Sequence, residues 1–303
     1  MGVLSGLQRV QEMMGNYKIF TDATADLTPE LMKGLASVEI IPMQVEIGGA
    51  EYTYGSPDGI TAQEFYRLQK AGNFATTSQI NPTIYFQNFE PWLRQGYDVL
   101  YLCFSSGLSG TYQSALLAVE ELQMEYPERK IICIDTLGAA AGEGFLVRET
   151  VKRQMEGLTI DELADWVVKY RLKVCHWITV DTFTHLKHGG RVSSTTAAMG
   201  TALQIKPLLH VDEDGKLQAM GKPRGRKKAL AALIARMEQG WIPALGKSVL
   251  IGHSDDFEGA ISLKDRVLEQ FPDAEVSITD IGPIIGAHTG PGTLTLFYWG
   301  SNR

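Results

Sequence analysis

The sequence predicts an α/β protein of two domains: a doubly wound domain with a parallel sheet, then an α+β domain with a mixed or antiparallel sheet. The first observation is a set of short aliphatic and β-branched runs that alternate with helical patterns, YKIFTD (17–22), DVLYLCF (98–104) and KIICID (130–135). Such runs are typical of parallel strands buried on both faces. The second is a DEDG turn at 212–215 and an alternating last run at 293–300, which favour antiparallel pairing. In a doubly wound domain, ligands bind beyond the carboxyl ends of the strands.

Helical patterns fill the spaces between these strands. The segments 61–72 and 82–96 carry apolar residues at helical spacing, and 144–174 reads as two helices with Thr159 as N-cap of the second. This helical pair is a natural divider of the chain. We therefore expect an N-terminal α/β domain, a C-terminal α+β domain and an N-terminal extension without an assigned role, at residues 17–174, 175–303 and 1–16.

Composition excludes several classes of protein. The chain has 303 residues, 44% of them hydrophobic, and a net charge of -7, which argues against nucleic-acid or anionic-membrane binding. It contains no apolar run long enough to span a membrane and no secretion signal, so we expect a cytoplasmic protein. The spacings of Cys103, Cys133 and Cys175 match no metal or redox motif, and we expect neither a metal nor a cofactor.

A serine- and glycine-rich segment, CFSSGLSGTYQSA (103–115), leaves a predicted strand and enters a predicted helix near Ser109 or Gly110. The free N–H groups and the dipole of a helix start form a site for an anion. The segment lacks the lysine of a nucleotide-triphosphate loop, the GxGxxG of a dinucleotide site and the GxSxG of a hydrolase. A purely structural turn is an equally good interpretation of these residue types.

A second hydroxyl cluster lies in ATTSQINP (75–82), which we expect to form the loop before a helix. From that loop Thr77 and Ser78 could face the same crevice as the serine-rich segment. Taken in isolation, N-capping of the helix by one of them is the favoured interpretation.

Two further candidates follow glycines. His288 lies in GPIIGAHTGPG (282–292), which we expect to be a loop, and loops often carry functional side chains. Arg191 follows a Gly-Gly turn in THLKHGGRVSS (184–194). An arginine can donate two hydrogen bonds to a carboxylate or a phosphate, although a surface role is equally common.

Seven motifs, in order along the chain, together resemble the DegV family of bacterial lipid-binding proteins. They are TDATADL (21–27), TTSQINP (76–82), SSGLSGTYQSA (105–115), IDTLGAAAGEG (134–144), LKHGGRVS (186–193), LQIKPLL (203–209) and GAHTGPGTL (286–294). The resemblance implies a long-chain fatty acid held between two domains. It also implies a carrier rather than an enzyme, which presents the acid to a dihydroxyacetone-kinase-like, ATP-binding partner. The resulting acyl phosphate would feed phospholipid synthesis.

The resemblance also implies roles for individual residues. It places six at the fatty-acid carboxylate or head group: Thr77, Ser106, Ser109, Gly110, Arg191 and His288. Thr77 is similar to the threonine that hydrogen-bonds the carboxylate, with Ser109 favoured over Ser106 as its companion because Ser109 lies closer to the helix start. Arg191 and His288 resemble residues near the head group that matter for phosphorylation.

Three positions depart from the family pattern. Ala140 stands where serine is common, His188 replaces a frequent lysine, and Pro223 replaces a β-branched residue. These changes affect details of the head-group region and of the partner surface, and none removes a main anchor.

Two other functions stay open. A serine hydrolase or acyltransferase could use Ser106 or Ser109 with His288 as base, although no motif supplies the acid that such a base needs. A nucleic-acid-binding or regulatory role could use the basic run KPRGRKK (222–228), which we interpret as a solvated helix start. A sharper alternative is kinase docking by three residues of this run, Arg224, Arg226 and Lys227.

Overall fold

The computed structural model describes residues 16–192 and 204–303. Residues 1–15 of the expected N-terminal extension therefore lie outside the described residues. So do residue 193, which ends the motif LKHGGRVS, and residue 203, which begins the motif LQIKPLL. The strands in the described residues are β1 (Tyr17–Asp22), β2 (Glu39–Ile41), β3 (Met43–Ile47), β4 (Ala50–Tyr54), β5 (Ala75–Thr77), β6 (Asp98–Cys103), β7 (Ile131–Asp135), β8 (Val174–Thr179), β9 (Leu208–Val211), β10 (Leu217–Gly221), β11 (Ser248–His253), β12 (Glu275–Asp280) and β13 (Leu294–Trp299). The helices are α1 (Ala62–Lys70), α2 (Pro82–Arg94), α3 (Thr111–Glu125), α4 (Ala141–Met155), α5 (Ile160–Tyr170), α6 (Thr184–His188), α7 (Arg226–Gly240), α8 (Phe257–Gln270) and α9 (Pro283–Thr289).

A four-stranded parallel sheet has the order β2-β1-β6-β7. The strand order reverses at β1, so the loops that follow β1 and β6 leave the sheet in neighbouring positions and open a crevice between them. The predicted parallel strands and the doubly wound class are confirmed.

A six-stranded mixed sheet has the order β10-β9-β8-β13-β11-β12. Among the described strands of this sheet, only β11 and β12 pair in parallel, and β9 and β10 form the predicted hairpin. The mixed sheet of the second half is therefore confirmed. All of β13 is buried because it lies in the middle of this sheet.

A third sheet, β4-β3-β5, was not expected from the sequence. It places Thr77 at the end of a strand, so the prediction of a loop at this position is wrong. The helix that follows is capped by Asn81, whose side chain accepts a hydrogen bond from the backbone N–H of Ile84 at 3.2 Å. Neither Thr77 nor Ser78 is the N-cap, which leaves their hydroxyls available for another role.

Helix α4 connects the two large sheets. It packs on the 3-10 turn after β1 (Ala23–Ala25) and on strands of the mixed sheet. A Cβ on Gly144 would lie 2.1 Å from the carbonyl oxygen of Ala25, so only glycine permits this approach. The apolar core runs without a break from Leu100 through Phe145 to Phe297.

The capping of α5 agrees with the sequence, since Thr159 and Glu162 form a capping box. The parallel sheet lies before residue 174 and the mixed sheet begins there, while the division into domains at this point stays a prediction. In the described part of the chain, none of the helices is both long and apolar enough to cross a membrane.

Candidate functional site

A cavity of about 250 Å³ lies between the carboxyl ends of the parallel strands and the mixed sheet. Its wall is mostly apolar, with contributions from both sheets and from α9, such as Phe104, Ile178, Leu209, Val211, Ile285 and Phe297. Five of the six residues predicted at the head group also line it: Thr77, Ser109, Gly110, Arg191 and His288. A mostly apolar cavity with a few polar groups is typical of a site for a small amphipathic molecule.

His288 and Thr77 form the centre of the polar part of the wall. The imidazole Nε2 lies 2.9 Å from the Thr77 hydroxyl oxygen. His288 belongs to the last turn of α9, so the prediction of a loop at this position is wrong. Burial, and then the positive charge of Arg191, lower the pKa of His288 to about 4. The ring is therefore neutral at neutral pH and has one N–H to donate.

The other ring nitrogen of His288 faces the loop after α6. Nδ1 is buried and has no hydrogen-bond partner among the described residues. A Cβ on Gly189 would lie only 2.1 Å from this atom, so the first glycine of the Gly-Gly turn makes room for the imidazole. Arg191 donates a hydrogen bond to the Gly189 carbonyl, and partial burial lowers its pKa. The Gly-Gly-Arg segment and α9 therefore form one packed unit.

The serine-rich loop forms a second polar part of the wall. Ser109 Oγ accepts a hydrogen bond from Thr111 N at 3.2 Å and lies 2.8 Å from Thr111 Oγ1, where α3 begins. Gly110 packs on the side chain of Gln79, since a Cβ on Gly110 would lie 2.2 Å from Gln79 Oε1. Because Gln79 and Thr77 belong to one short segment, the helix start and the Thr77–His288 pair adjoin each other.

Ser106 is placed differently from Ser109. Its backbone N–H donates to Asp135 Oδ1 at 3.2 Å, and the residue does not line the cavity. Neither Ser106 nor Ser109 has a hydrogen bond to His288 within the described residues, because the imidazole bonds to Thr77 instead. The Ser–His pair that the hydrolase alternative needs is therefore absent from the described geometry.

Several cavity residues were missed by the sequence reasoning. Thr24 and Gln79 both lie in quoted motifs, directly after or near a strand end, which is a signal that could have found them. Glu143 lies behind Thr24, with its Oε2 2.8 Å from the threonine hydroxyl. Glu143 also lies in a quoted motif, in the first turn of α4, where an acidic residue is ordinarily exposed, so its residue type gave no sign that it would be buried next to the cavity.

Two of the three positions that depart from the family pattern, Ala140 and His188, lie near the site. Ala140 lines the cavity with φ at 54°, and the His188 ring stacks on Phe74 at 4.5 Å between centroids.

In the basic run, Arg226 is half-buried and pairs with Asp256 and with the Gly292 carbonyl, so it belongs to the internal structure. The two other proposed docking residues, Arg224 and Lys227, are exposed. No cluster of metal ligands occurs within residues 16–192 and 204–303.

Comparison with known proteins agrees with the resemblance in the motifs. The family model described as "Uncharacterised protein, DegV family" matches residues 16–300. A DegV domain-containing protein of Clostridium perfringens is 39% identical over 290 residues, which cover 96% of this chain and 99% of that protein.

Solved structures share the fold. A DegV family protein from Thermus thermophilus, described by its fatty acid binding, is 30% identical, with a TM-score of 0.82 and coverage of 94% of this chain and 100% of that one. The Streptococcus pneumoniae fatty acid kinase B3 protein, loaded with linoleic acid, has a TM-score of 0.82 and the same coverage. At 22% identity, that second likeness extends to the fold alone.

Proposed function

This chain belongs to the DegV family, and we propose that it is a carrier whose cavity holds a long-chain fatty acid, with the carboxylate at Thr77, Ser109 and the start of α3. The observation that supports this most directly is the cavity itself. Its wall is apolar over most of its area, and its polar groups adjoin one another where Gln79 meets Gly110 and Thr77 meets His288. An amphipathic molecule with one polar end fits such a distribution.

The apolar wall would supply most of the affinity. Burial of a chain of roughly sixteen carbons, at ~0.8 kcal/mol per methylene, gives about 12 kcal/mol before the costs of association. The carboxylate opposes this, because an ion without hydrogen-bond donors is very costly to bury. The hydroxyls of Thr77 and Ser109 and the free N–H groups at the start of α3 are the donors that would offset the cost.

His288 would fix the direction of the Thr77 hydroxyl. We assign the single imidazole hydrogen to Nε2, from which it donates to Thr77 Oγ1. The threonine hydrogen is then free to point into the cavity towards the carboxylate. In the other tautomer Thr77 would donate to His288 and would be lost as a donor to the ligand.

Presentation of the bound acid to a dihydroxyacetone-kinase-like, ATP-binding partner, and formation of an acyl phosphate, are part of the same proposal. So is a cytoplasmic location. The kinase partner, the acyl phosphate and the cytoplasmic location all rest on the family resemblance.

The exposed Arg224 and Lys227 are the proposed docking residues that remain, since Arg226 pairs with Asp256. Charge reversal at the two exposed positions should lower phosphorylation by the partner and leave fatty-acid binding unchanged. Unchanged phosphorylation would exclude this docking surface.

The experiment that tests the carrier function is a binding measurement. The protein is delipidated, refolded and exposed to a mixture of fatty acids, and the bound acid is identified by mass spectrometry; recovery of no acid would refute the proposal. The double variant Thr77→Ala, Ser109→Ala should fold and bind more weakly. Thr76→Ala is the matched control, because Thr76 is exposed on the other face of β5.

The hydrolase alternative has less support, since His288 bonds to Thr77 and its Nδ1 has no acid partner in the described residues. A fluorophosphonate probe distinguishes the two functions. Labelling of Ser106 or Ser109 would favour the enzyme, and a carrier should remain unlabelled.

A further inference from the structure

Two buried carboxyl groups lie on either side of one hydroxyl, directly behind the cavity wall. Asp22 and Glu143 have no exposed surface, and Thr24, which lines the cavity, is 1% exposed. Thr24 Oγ1 lies 2.5 Å from Asp22 Oδ1 and 2.8 Å from Glu143 Oε2. A threonine hydroxyl has one hydrogen, so Thr24 can donate to only one of the two carboxyl groups.

Asp22 has the donors that an ionised carboxylate needs. Its Oδ1 accepts from the backbone N–H of Thr24 at 3.0 Å, and its Oδ2 accepts from the Tyr101 hydroxyl at 2.8 Å and from the N–H of Phe104 at 3.2 Å. Hydrogen bonds of this kind stabilise the charged form. The hydrogen of Thr24 goes to this short contact.

Among the described residues, Glu143 has no donor that is committed to it alone. Its oxygens contact only two hydroxyls there, those of Thr21 at 3.0 Å and Thr24. The hydrogen of Thr24 is committed to Asp22, and Thr21 lies equally close to the carbonyl of Leu102, at 3.0 Å. An ionised Glu143 would therefore be a buried charge beside a second one without adequate donors, which is very unfavourable.

The surrounding groups do not compensate such a charge. Four titratable groups face Glu143 from the elements packed against it: Asp22, Asp26, Cys103 and His176. A fifth, Tyr101, donates a hydrogen bond to Asp22. His176 accepts from the N–H of Ala139 at 3.3 Å through Nε2, so its hydrogen lies on Nδ1, 2.8 Å from the Val174 carbonyl, and the ring is neutral. Burial, and then the charge of Asp22, raise the pKa of Glu143 well above its ordinary range.

We propose that Glu143 is a neutral carboxylic acid at neutral pH and that it donates its hydrogen to Thr24 while Thr24 donates to Asp22. Glu143 thereby positions this part of the cavity wall and limits the Asp22–Glu143 pair to one negative charge. The relay accounts for both short contacts of Thr24 with two hydrogens. Glu143 acts through Thr24 and is thus a positioning residue.

The consequence for the ligand rests on the proposed fatty-acid function. Ionisation of Glu143 would add a second negative charge behind the wall that faces an anionic ligand, and would withdraw the hydrogen bond that holds Thr24. Affinity for a fatty acid should therefore fall as the pH rises through the pKa of Glu143. Burial also raises the pKa values of Tyr101 and Cys103 and lowers those of His176 and His288, so these four groups stay neutral in this range.

Infrared spectroscopy tests the proton without any ligand. The wild-type protein should show, at neutral pH, the C=O stretching band of protonated carboxyl groups, and Glu143→Gln should lose the intensity of one group. The amide of glutamine can donate to Thr24 as the acid does, so this variant should fold. Glu149→Gln is the matched control, because Glu149 lies on the same helix, partly exposed and paired with Lys152. Equal band intensity in wild type and Glu143→Gln would overturn the proposal.

A second measurement needs no substitution. In wild-type protein with 13C-labelled glutamate, one side-chain carboxyl should keep the chemical shift of a protonated acid at neutral pH. Ionised shifts for all glutamates would overturn the proposal.

Binding of palmitate at neutral and alkaline pH tests the coupling to the ligand. We expect the wild-type affinity to fall by roughly tenfold at alkaline pH, the scale of one added charge at intermediate dielectric, and the affinity of Glu143→Gln to stay constant. Equal pH dependence in both proteins would refute the coupling. A protein with the infrared signature that binds no palmitate at any pH would refute the fatty-acid function and leave the shared proton supported.

Discussion

Substitution of Gly189 by alanine should disturb the head-group site through a single contact. The residue has φ at -75°, which alanine adopts readily, so the backbone is not strained. The new Cβ would lie 2.1 Å from His288 Nδ1 and 3.0 Å from Cε1. The imidazole must therefore shift by about 1 Å or more, since carbon and nitrogen pack at ~3.5 Å. Such a shift breaks the 2.9 Å hydrogen bond to Thr77.

Gly189→Ala should lower both the free energy of unfolding and the affinity for a fatty acid, each for a separate reason. Overpacking of this partly buried contact should lower the free energy of unfolding by about 1–3 kcal/mol. Loss of the oriented Thr77 hydroxyl removes one hydrogen bond to a charged carboxylate, worth about 1.5–3 kcal/mol, so fatty-acid affinity should fall roughly ten- to hundredfold.

The adjacent glycine provides the control. Gly190 has φ at +70° and no atom within 4 Å of its would-be Cβ. Gly190→Ala should therefore cost about 1–2 kcal/mol of stability through backbone strain alone and should leave affinity unchanged. Urea unfolding and palmitate titration of both variants test the reasoning. If both variants bind palmitate as wild type does, or if both lose affinity equally, the assigned role of the His288–Thr77 contact is wrong.

Two other predictions concern the same wall. The folded-state pKa of His288 is about 4, below its ordinary value. Its contribution to stability is therefore present above pH ~6.5 and is lost as the pH falls towards 4. Urea unfolding should show that the stability of His288→Gln depends less on acid pH than that of the wild type, and identical pH profiles of stability in the two proteins would contradict this. Ser109→Ala should weaken palmitate binding by about 1 kcal/mol or more, whereas Ser106→Ala should not, because Ser106 does not line the cavity. Palmitate titration of both variants shows which serine donates to the carboxylate. Weaker binding by Ser106→Ala alone would reverse the assignment.

Local patterns identified much of the fold in advance. The strands around 17–22, 98–104 and 130–135, the hairpin at 212–215 and the capping box at Thr159 all follow from short-range rules of periodicity, turn chemistry and capping. The sheet of β3, β4 and β5 did not, because β5 has only three residues and its partner strand β3 lies about thirty positions earlier in the chain. So short a strand forms only when that partner is already in place.

The candidate site likewise combines features that local sequence predicts with features that only long-range packing decides. The sequence by itself determined which residue types end the strands and open the helices, and so it indicated Thr77, Ser109 and His288 through motifs within a few residues of each. Tertiary structure alone decided that Thr77 bonds to His288 across 211 positions, and that Ser106 is excluded from the cavity. It also decided that Glu143 is buried against Thr24. Contacts and burial between segments distant in sequence depend on how whole elements pack, and the pKa values follow from that packing.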